Sequence, residues 1–298
     1  MQNPLVIYFT KSPTLKTIND ISYKNSYIHL AKFAQERSID LRFVIGEENY
    51  SNGKFLSSWK FINGTPEPTS QSFYPHIVYV RSRIYNLKFK RKINNVRLEN
   101  ICRDKLLSYL TFPKFIKKTL LATKDNTLNI GKLKTDLIVL KPRYGSNGDD
   151  VKILSKRAIS SKDISTKELI AQEFIDSSAG ITGLITRRHE LRIYVMNGDI
   201  KAGYIRVPAK DSYLANISKG ATEKLINLNQ IPYSATYLQR QIDNTFKEIV
   251  PRLYTIDIMY EKGEPWVVEL NDNPGMPDIN VQPFTDNYLN ALLDLLSS

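Results

Sequence analysis

The 298-residue sequence has one cysteine, Cys102, which excludes an internal disulfide and fits a reducing compartment. Standing near a helical segment, that thiol reads as a small hydrophobe rather than a nucleophile. Only three histidines are present, His29, His76 and His189, and they lie too far apart for metal-ligand spacing. No apolar run approaches the roughly 20 residues that a membrane-spanning helix requires. Met1 to Thr10 is a short apolar strand followed by polar sequence, so neither a signal peptide nor a membrane partner is expected, and a cytoplasmic location is. Biased tracts, internal repeats and nucleic-acid-binding motifs are missing as well, so disorder is not expected and nucleic acid is not an expected partner.

What is present is an ordinary globular composition, 42% hydrophobic and 24% charged, in a chain long enough for two or three subdomains. Its net charge of +12 is uneven. Residues 1–98 hold 15 Lys and Arg against 6 Asp and Glu, whereas residues 99–298 hold 27 against 24. The excess is densest at Arg81, Arg83, Lys88, Lys90, Arg91, Lys92 and Arg97, with no acid between them. Such a run is either a solvated face or a surface for an anionic partner, such as an acidic peptide or carrier protein.

Apolar patterning predicts strands at 5–9, 41–45 and 76–80 and a helix over 27–36, a small α/β domain with a partly parallel sheet. The Ser-, Gly- and Pro-rich stretch from 49 to 74 is expected to be a long loop. Residues 98–119 read as helix broken at Pro113, 137–140, 151–154 and 169–175 as strands, and 286–296 as a closing helix. Two hairpins stand out. Strands 190–196 and 199–207 flank Asn197-Gly198, a strong turn signal, and strands 254–260 and 266–271 flank the five residues Glu261 to Pro265.

The second hairpin carries the most chemistry. A loop symmetric about Gly263 sets Asp257 opposite Glu269, with Asn271 on the same face, while Ile256, Ile258, Tyr260, Val268 and Leu270 point into a core. Like charges facing across a sheet cost energy, and a magnesium ion would offset them; the alternative is a solvent-facing acidic pair. Upstream, Lys141 ends an apolar strand and precedes Arg143-Tyr144-Gly145-Ser146-Asn147-Gly148, where glycines would let N–H groups approach phosphate. In the first hairpin, ideal pairing puts Arg192 opposite Gly203 and Arg206 on the other face, so the two converge only if a bulge or Pro208 twists the strand.

In this order the pieces resemble the ATP-grasp superfamily over roughly residues 98–280. The segment opened by Asp104-Lys105, with Pro113 beyond it, is similar to the one giving a first ATP-contacting lysine. Leu140-Lys141-Pro142 resembles the second lysine strand, and Gly145-Ser146-Asn147-Gly148 the phosphate-covering loop. Ala171-Gln172-Glu173-Phe174-Ile175 resembles the hinge that receives adenine through main-chain groups near Glu173 and Phe174. The Arg192 and Arg206 strands, followed by Asn216-Ile217-Ser218-Lys219-Gly220, look like those of prokaryotic glutathione synthetases and ribosomal-protein glutamate ligases. Ile256-Asp257-Ile258 and Glu269-Leu270-Asn271-Asp272-Asn273-Pro274-Gly275 resemble the metal-ligand block. The sequence departs from the family in Asp149-Asp150 at the end of the phosphate loop and in Thr255-Ile256 before the metal aspartate, and residues 1–98 match no subfamily.

The resemblance implies an α/β (α+β) ATP-grasp fold, in which two α+β subdomains, 98–170 and 171–298, grip ATP behind a small α/β domain at 1–97. It implies ATP and Mg2+ (or Mn2+) as cofactors, with Asp257, Glu269 and Asn271 as metal ligands. Lys105, Lys141, Gly145, Ser146, Gly148, Gln172, Glu173, Phe174 and Ile175 would bind nucleotide, and Arg192, Arg206, Asn216 and Lys219 would be catalytic. The implied activity is carboxylate–amine ligation through an acyl phosphate, on an amino acid, peptide or carrier-linked substrate. A kinase acting on an anionic alcohol is the alternative, and a homo-oligomer is compatible because many relatives are dimers.

Overall fold

The computed structural model describes residues 3–10, 14–81, 89–123, 127–145, 148–164 and 168–298. The chain forms two compact units, one of residues 1–95, 249–253 and 273–298, the other of 96–248 and 254–272.

In the first unit, β1 (Leu5–Phe9) is apolar at every position and buried throughout, as a strand covered on both faces must be. Helix α1 (Lys24–Glu36) follows it, burying Tyr27, Leu30, Ala31 and Ala34, and leads to β2 (Leu41–Ile45), parallel to β1. The expected loop at 49–74 is instead two hairpins: β3 (Tyr50–Ser51) with β4 (Lys54–Phe55), and β5 (Ser58–Ile62) with β6 (Thr65–Thr69). Each turns on an Asn-Gly pair, Asn52-Gly53 and Asn63-Gly64, with positive φ at both residues. Pro66 and Pro68 disguise β6 as loop, yet β6 lies at the sheet edge, where prolines are tolerated. Strand β7 (Ile77–Val80) pairs parallel to β1 on its other side, giving the order β6-β5-β2-β1-β7.

The second unit begins with α2 (Val96–Arg103) and α3 (Lys105–Thr111), so the expected single helix breaks at Asp104 as well as before Pro113. Asp104 caps α3 by accepting the Leu106 and Leu107 N–H groups, as a short side chain at that position does best. Strand β8 (Thr119–Ala122), short helix α4 (Thr127–Ile130), β9 (Leu137–Pro142), β10 (Lys152–Ser155) and β11 (Leu169–Glu173) give an antiparallel sheet ordered β10-β9-β11-β8. A second sheet runs β14-β13-β12-β15-β16, from β12 (Glu190–Met196), β13 (Asp199–Val207), β14 (Thr222–Leu225), β15 (Leu253–Glu261) and β16 (Glu264–Asn271). Helix α5 (Tyr233–Asp243) precedes β15. No helix among the described residues is long and apolar enough to cross a membrane.

The closing helix α6 (Phe284–Ser297) belongs to the first unit, whereas the sequence suggested that the chain beyond residue 97 stays in one domain. Its buried Tyr288, Leu289, Leu292, Leu293, Leu295 and Leu296 need an apolar partner, and α1 and β7 supply one. Polar contacts fix the register: Ser26 Oγ donates to Pro277 O at 2.6 Å, His29 Nε2 meets Asp286 at 2.8 Å, and Arg37 reaches Asp294 at 2.7 Å. Replacing the fully buried Leu293 with alanine should cost about 2–5 kcal/mol in urea unfolding. Hydrogen exchange in that variant should lose protection first in β1, β7 and α1; a loss confined to β12–β16 would contradict this packing.

Candidate active site

Two single-residue bulges set the register of the charged strands. The Asn197-Gly198 turn, with φ of 48° and 96°, starts β12 and β13 in strict pairing. Val195 then faces Ile200 but Tyr194 faces Ala202, leaving Lys201 extra. Past the bulge Arg192 pairs with Tyr204 and Glu190 with Arg206, not Arg192 with Gly203 as ideal pairing requires. Because side chains alternate, Glu190, Arg192, Tyr204 and Arg206 now share a face. In β15 and β16 the turn is tighter than expected, the two residues Lys262-Gly263 with φ of 53° and 83°. Ile258 faces Val267 and Asp257 faces Glu269, so Val268 is the extra residue. Asp257 does oppose Glu269, but through a bulge, and Val267 rather than Val268 takes the buried position.

Asp257 is the centre of this face, 2% exposed. Arg192 Nε and Nη2 donate to its Oδ1 and Oδ2, each at 2.6 Å, and Arg206 Nη2 donates to Oδ2 at 2.8 Å. Burial alone would push the Asp257 carboxyl up, but the two guanidinium groups outweigh it and hold the carboxyl below the usual range. Arg206 also pairs with Glu190, whose carboxyl burial pushes up to about 7 against the pull of Arg206. Arg206 Nε is buried without a partner among the described residues.

Both expected lysines reach this face. Lys105, at the start of α3, donates from Nζ to Gly145 O at 2.7 Å and lies 3.4 Å from Glu269 Oε1. Its position is fixed by Asp104, which receives Arg143 through Nε at 2.8 Å and Nη2 at 2.6 Å. Lys141 is 6% exposed, and its Nζ donates to the carbonyl of the bulged Val268 at 3.2 Å. Burial, reinforced by the Lys105 cation, brings its ammonium down to about 8.

The segment expected to be the adenine hinge is more committed than its sequence suggested. Gln172 Nε2 donates to Thr119 Oγ1 at 3.0 Å, and Glu173 Oε1 accepts the Lys134 N–H at 2.7 Å. The Glu173 N–H goes to Lys118 O and the Phe174 N–H to Thr135 Oγ1. Among the described residues no group meets the Phe174 carbonyl or the Ile175 N–H, so these two are the open main-chain pair. In the expected phosphate loop, Ser146 and Asn147 lie outside the described residues, as do Arg83 and Lys88 of the basic run. Gly148, at φ 70°, abuts the Asn216 side chain, which a Cβ there would strike. Lys219 lies 3.9 Å from Asp149 in an exposed ion pair.

A family profile, the RimK-like ATP-grasp domain, matches residues 105–288. The chain belongs to the RimK-like ATP-grasp family. Comparison with curated proteins finds no match. Among solved structures, it is similar to the ATP-grasp ligase PsnB complexed with a phosphomimetic variant of its minimal precursor, Mg and ADP: 13% identity, 99% of this chain and 100% of that one, TM-score 0.62. D-cycloserine synthetase DcsG gives 13% identity, 98% and 99% coverage and a TM-score of 0.61. D-alanine–D-alanine ligase from Bacillus anthracis complexed with ATP gives 14%, 98%, 96% and 0.55.

The ATP-grasp site can be tested for fit to a divalent cation on its donor chemistry. Asp257 and Glu269 face each other, and Asn271 lies two residues along the same strand face. Asp257 Oδ1 takes one N–H and Glu269 one loose ion pair, so both carboxylates keep lone pairs for a cation. Among the described residues no third acid, His or Cys joins them, so remaining ligands would come from amide, water or phosphate oxygens, which suits magnesium. Histidine plays no part: His189 is buried, with Nδ1 on Arg187 O and Nε2 accepting the Tyr260 N–H. Cys102 is buried in α2 and burial raises its thiol, as a structural cysteine requires.

Sequence reasoning missed Glu190, Arg143 and the Arg103–Asp272 pair (2.8 Å), all of which hold the charged face in place. Only Asp104 carried a readable signal, a capping residue just before a helix.

Asp257→Asn should lower stability by about 3–5 kcal/mol, because it leaves two buried guanidinium groups underpaired. Glu269→Gln, removing one 3.4 Å ion pair, should change the melting temperature little. If the two variants melt alike, Asp257 is not the structural centre of the face. The depressed Lys141 also has a pH consequence. Between about 8 and its unfolded value near 10.5 the unfolded chain holds the proton and the folded chain does not, so Lys141 makes stability rise with pH there. Over the same window Mg-ADP affinity should fall as the ammonium is lost. Lys141→Arg, which stays charged, should flatten that fall in calorimetric titration.

Proposed function

We propose that the protein is an ATP- and magnesium-dependent carboxylate–amine ligase that forms an amide or peptide bond through an acyl phosphate. One observation carries this reading. A face of two carboxylates, Asp257 and Glu269, lies within ion-pair reach of Lys105, Arg192 and Arg206, inside a RimK-like ATP-grasp domain. In the overall reaction the γ-phosphoryl of ATP passes to a substrate carboxylate, an amine displaces the phosphate, and ADP and phosphate leave.

We assign metal binding to Asp257, Glu269 and Asn271; when bound, magnesium neutralises charge on the phosphates. Lys105 and Lys141 would hold phosphate oxygens as cations at the ends of rigid elements. Lys141, already stripped of water, loses less hydration on meeting an anion than an exposed lysine would. Arg192 and Arg206 would stabilise the transferring phosphoryl and then the oxyanion of the tetrahedral adduct, because their orientation is set in advance by Asp257. Adenine would dock on the Phe174 carbonyl and Ile175 N–H, with Gln172 and Glu173 as braces behind them. Gly145, Ser146 and Gly148 would cover the phosphates and keep water from the acyl phosphate. Asn216 and Lys219 would orient phosphate or substrate, and the contact of Asn216 with Gly148 supports that placement.

The work divides between the parts: ATP handling from residue 98 onward, substrate selection in residues 1–97. PsnB, the structural neighbour complexed with precursor peptide PsnA2, supports a peptide or amino acid as substrate. An acidic peptide or carrier protein at the basic first domain and a homo-oligomeric state belong to the same proposal, as does a cytoplasmic location.

Phosphate and ADP release should be measured from Mg-ATP with pooled amino acids and acidic peptides, using Glu269→Gln as the control. Amine-dependent phosphate release, reduced at least about 100-fold in the control, is the expected result. ADP without free phosphate, with label kept on an acceptor as a stable phosphoester, would replace the ligase with a kinase.

A further inference from the structure

Strand β1 has parallel neighbours on both sides: α1 carries the chain from it to β2, and the chain later returns to β7 on its other edge. Where connections leave a strand in opposite directions, a crevice opens beyond the carboxyl ends, and ligands of open α/β sheets bind there. Arg81 stands at that reversal. It follows the last residue of β7, and its N–H donates to Tyr8 O of β1 at 2.7 Å.

Its side chain is surrounded by neutral groups. Nη1 donates to Tyr79 Oη at 2.7 Å and to Asn273 Oδ1, the guanidinium lies 5.0 Å from the Tyr79 ring centroid, and Tyr27 and Tyr288 face it. Its Nε is buried without a partner among the described residues. Among the described residues no carboxylate pairs with it. Arg42, Arg103, Arg143, Arg192 and Arg206 each meet one, respectively Asp40, Asp272, Asp104, Asp257 and again Asp257. Drawing a guanidinium partly out of water costs several kcal/mol, and neutral phenol and amide oxygens return only part of it. An arginine kept in that condition is poised for an anion.

A second feature lies in the connection between β1 and α1, and it reaches the 273–275 segment that also meets Arg81. Tyr23, just before α1, adopts φ 61°, a left-handed backbone that a bulky residue rarely takes and that gathers at functional positions. Its side chain is half exposed, and the hydroxyl rests on Gly275, where a Cβ would come within 2.6 Å. Asn273, which orients Arg81, is two residues before Gly275 and two after Asn271.

We propose that Arg81 and Tyr23 form a carboxylate subsite of the first unit, holding an anionic group of the substrate, with Asn273 and Tyr79 as positioning residues. This rests on the ligase reading and adds the substrate class, an acidic amino acid or peptide. It also locates in one residue the partner-binding role that the basic run as a whole suggested.

The test uses the intact protein with triglutamate, L-glutamate and uncharged triglutamine as probes, and with Mg-ADP measured separately. Saturable binding of triglutamate or L-glutamate, without binding of triglutamine, is expected; which of the two binds separates a peptide from a free amino acid. Arg81→Met should weaken that binding about 100-fold or more, Arg81→Lys less and Tyr23→Phe about tenfold, with Mg-ADP affinity unchanged in all three. Without ligand, Arg81→Met should melt no lower than wild type, because it removes an underpaired charge. The subsite is overturned if neither carboxylate binds to wild type, or if Arg81→Met or Arg81→Lys keeps full carboxylate affinity. It is equally overturned if Arg81→Met melts well below wild type, which would make Arg81 structural. Failure of wild type to bind Mg-ADP would count against the ligase reading, a separate result.

Discussion

The bond between the Asp257 carboxylate and two guanidinium groups is the contact on which the charged face depends. Arg192 comes from β12, Arg206 from β13 and Asp257 from β15, so one side chain ties together three adjacent strands. Replacing such a buried cluster with well-packed apolar residues is often neutral or stabilising, so stability alone does not account for it. What the cluster supplies is orientation. Two guanidinium groups, each with a defined direction, are kept near a carboxylate that stays ionised because they are there.

That arrangement depends in turn on register, and the register on two bulged residues, Lys201 and Val268, whose side chains take no part in the cluster. Without the bulge at Lys201, Arg206 would project from the opposite side of β13 and the cluster could not form. Without the bulge at Val268, the tight Lys262-Gly263 turn would slide Glu269 one position away from Asp257. The Val268 bulge also turns a main-chain carbonyl toward Lys141, which binds it. Bulges that re-aim side chains beside sites are a recurring device, and here each hairpin uses one.

These bulges also explain what could and could not be read from the residues. The carboxylate pair, the Asn197-Gly198 hairpin and the buried strands carry their own signals, in alternation, turn chemistry and apolar runs. Lys201 and Val268 look like any strand residues, since a bulge is decided by the pairing partner. The opposition of Asp257 and Glu269 was reached from a wider loop with no bulge, two differences that cancel. Asn52-Gly53 and Asn63-Gly64 did signal hairpins, but flanking Ser and Pro suggested loop, and edge position, which excuses Pro66 and Pro68, is a property of the sheet. Glu190 and Arg143 were unreadable for a similar reason: their partners, Arg206 and Asp104, lie on other elements. The placement of α6 needed knowledge of which apolar face stood open.

Charge balance links these parts to the proposed chemistry. Lys105, Arg192 and Arg206 are each held by an acid of the same face, and the acids that hold them, Glu269 and Asp257, are the proposed metal ligands. A divalent cation arriving at those carboxylates would compete with the internal cations for the same oxygens. It would thereby leave lysine and arginine freer to meet phosphate. Phosphate arriving at the cations would relax their hold on the carboxylates in the same way. Metal and nucleotide would then each raise the affinity of the other, by equal factors, as linkage demands. A face whose charges are mutually satisfied when empty avoids the cost of bare buried ions, and it is still able to exchange those partners for a ligand that carries both signs. Arg81 differs from these three in that no acid among the described residues pairs with it, and the anion proposed for it comes from outside the chain.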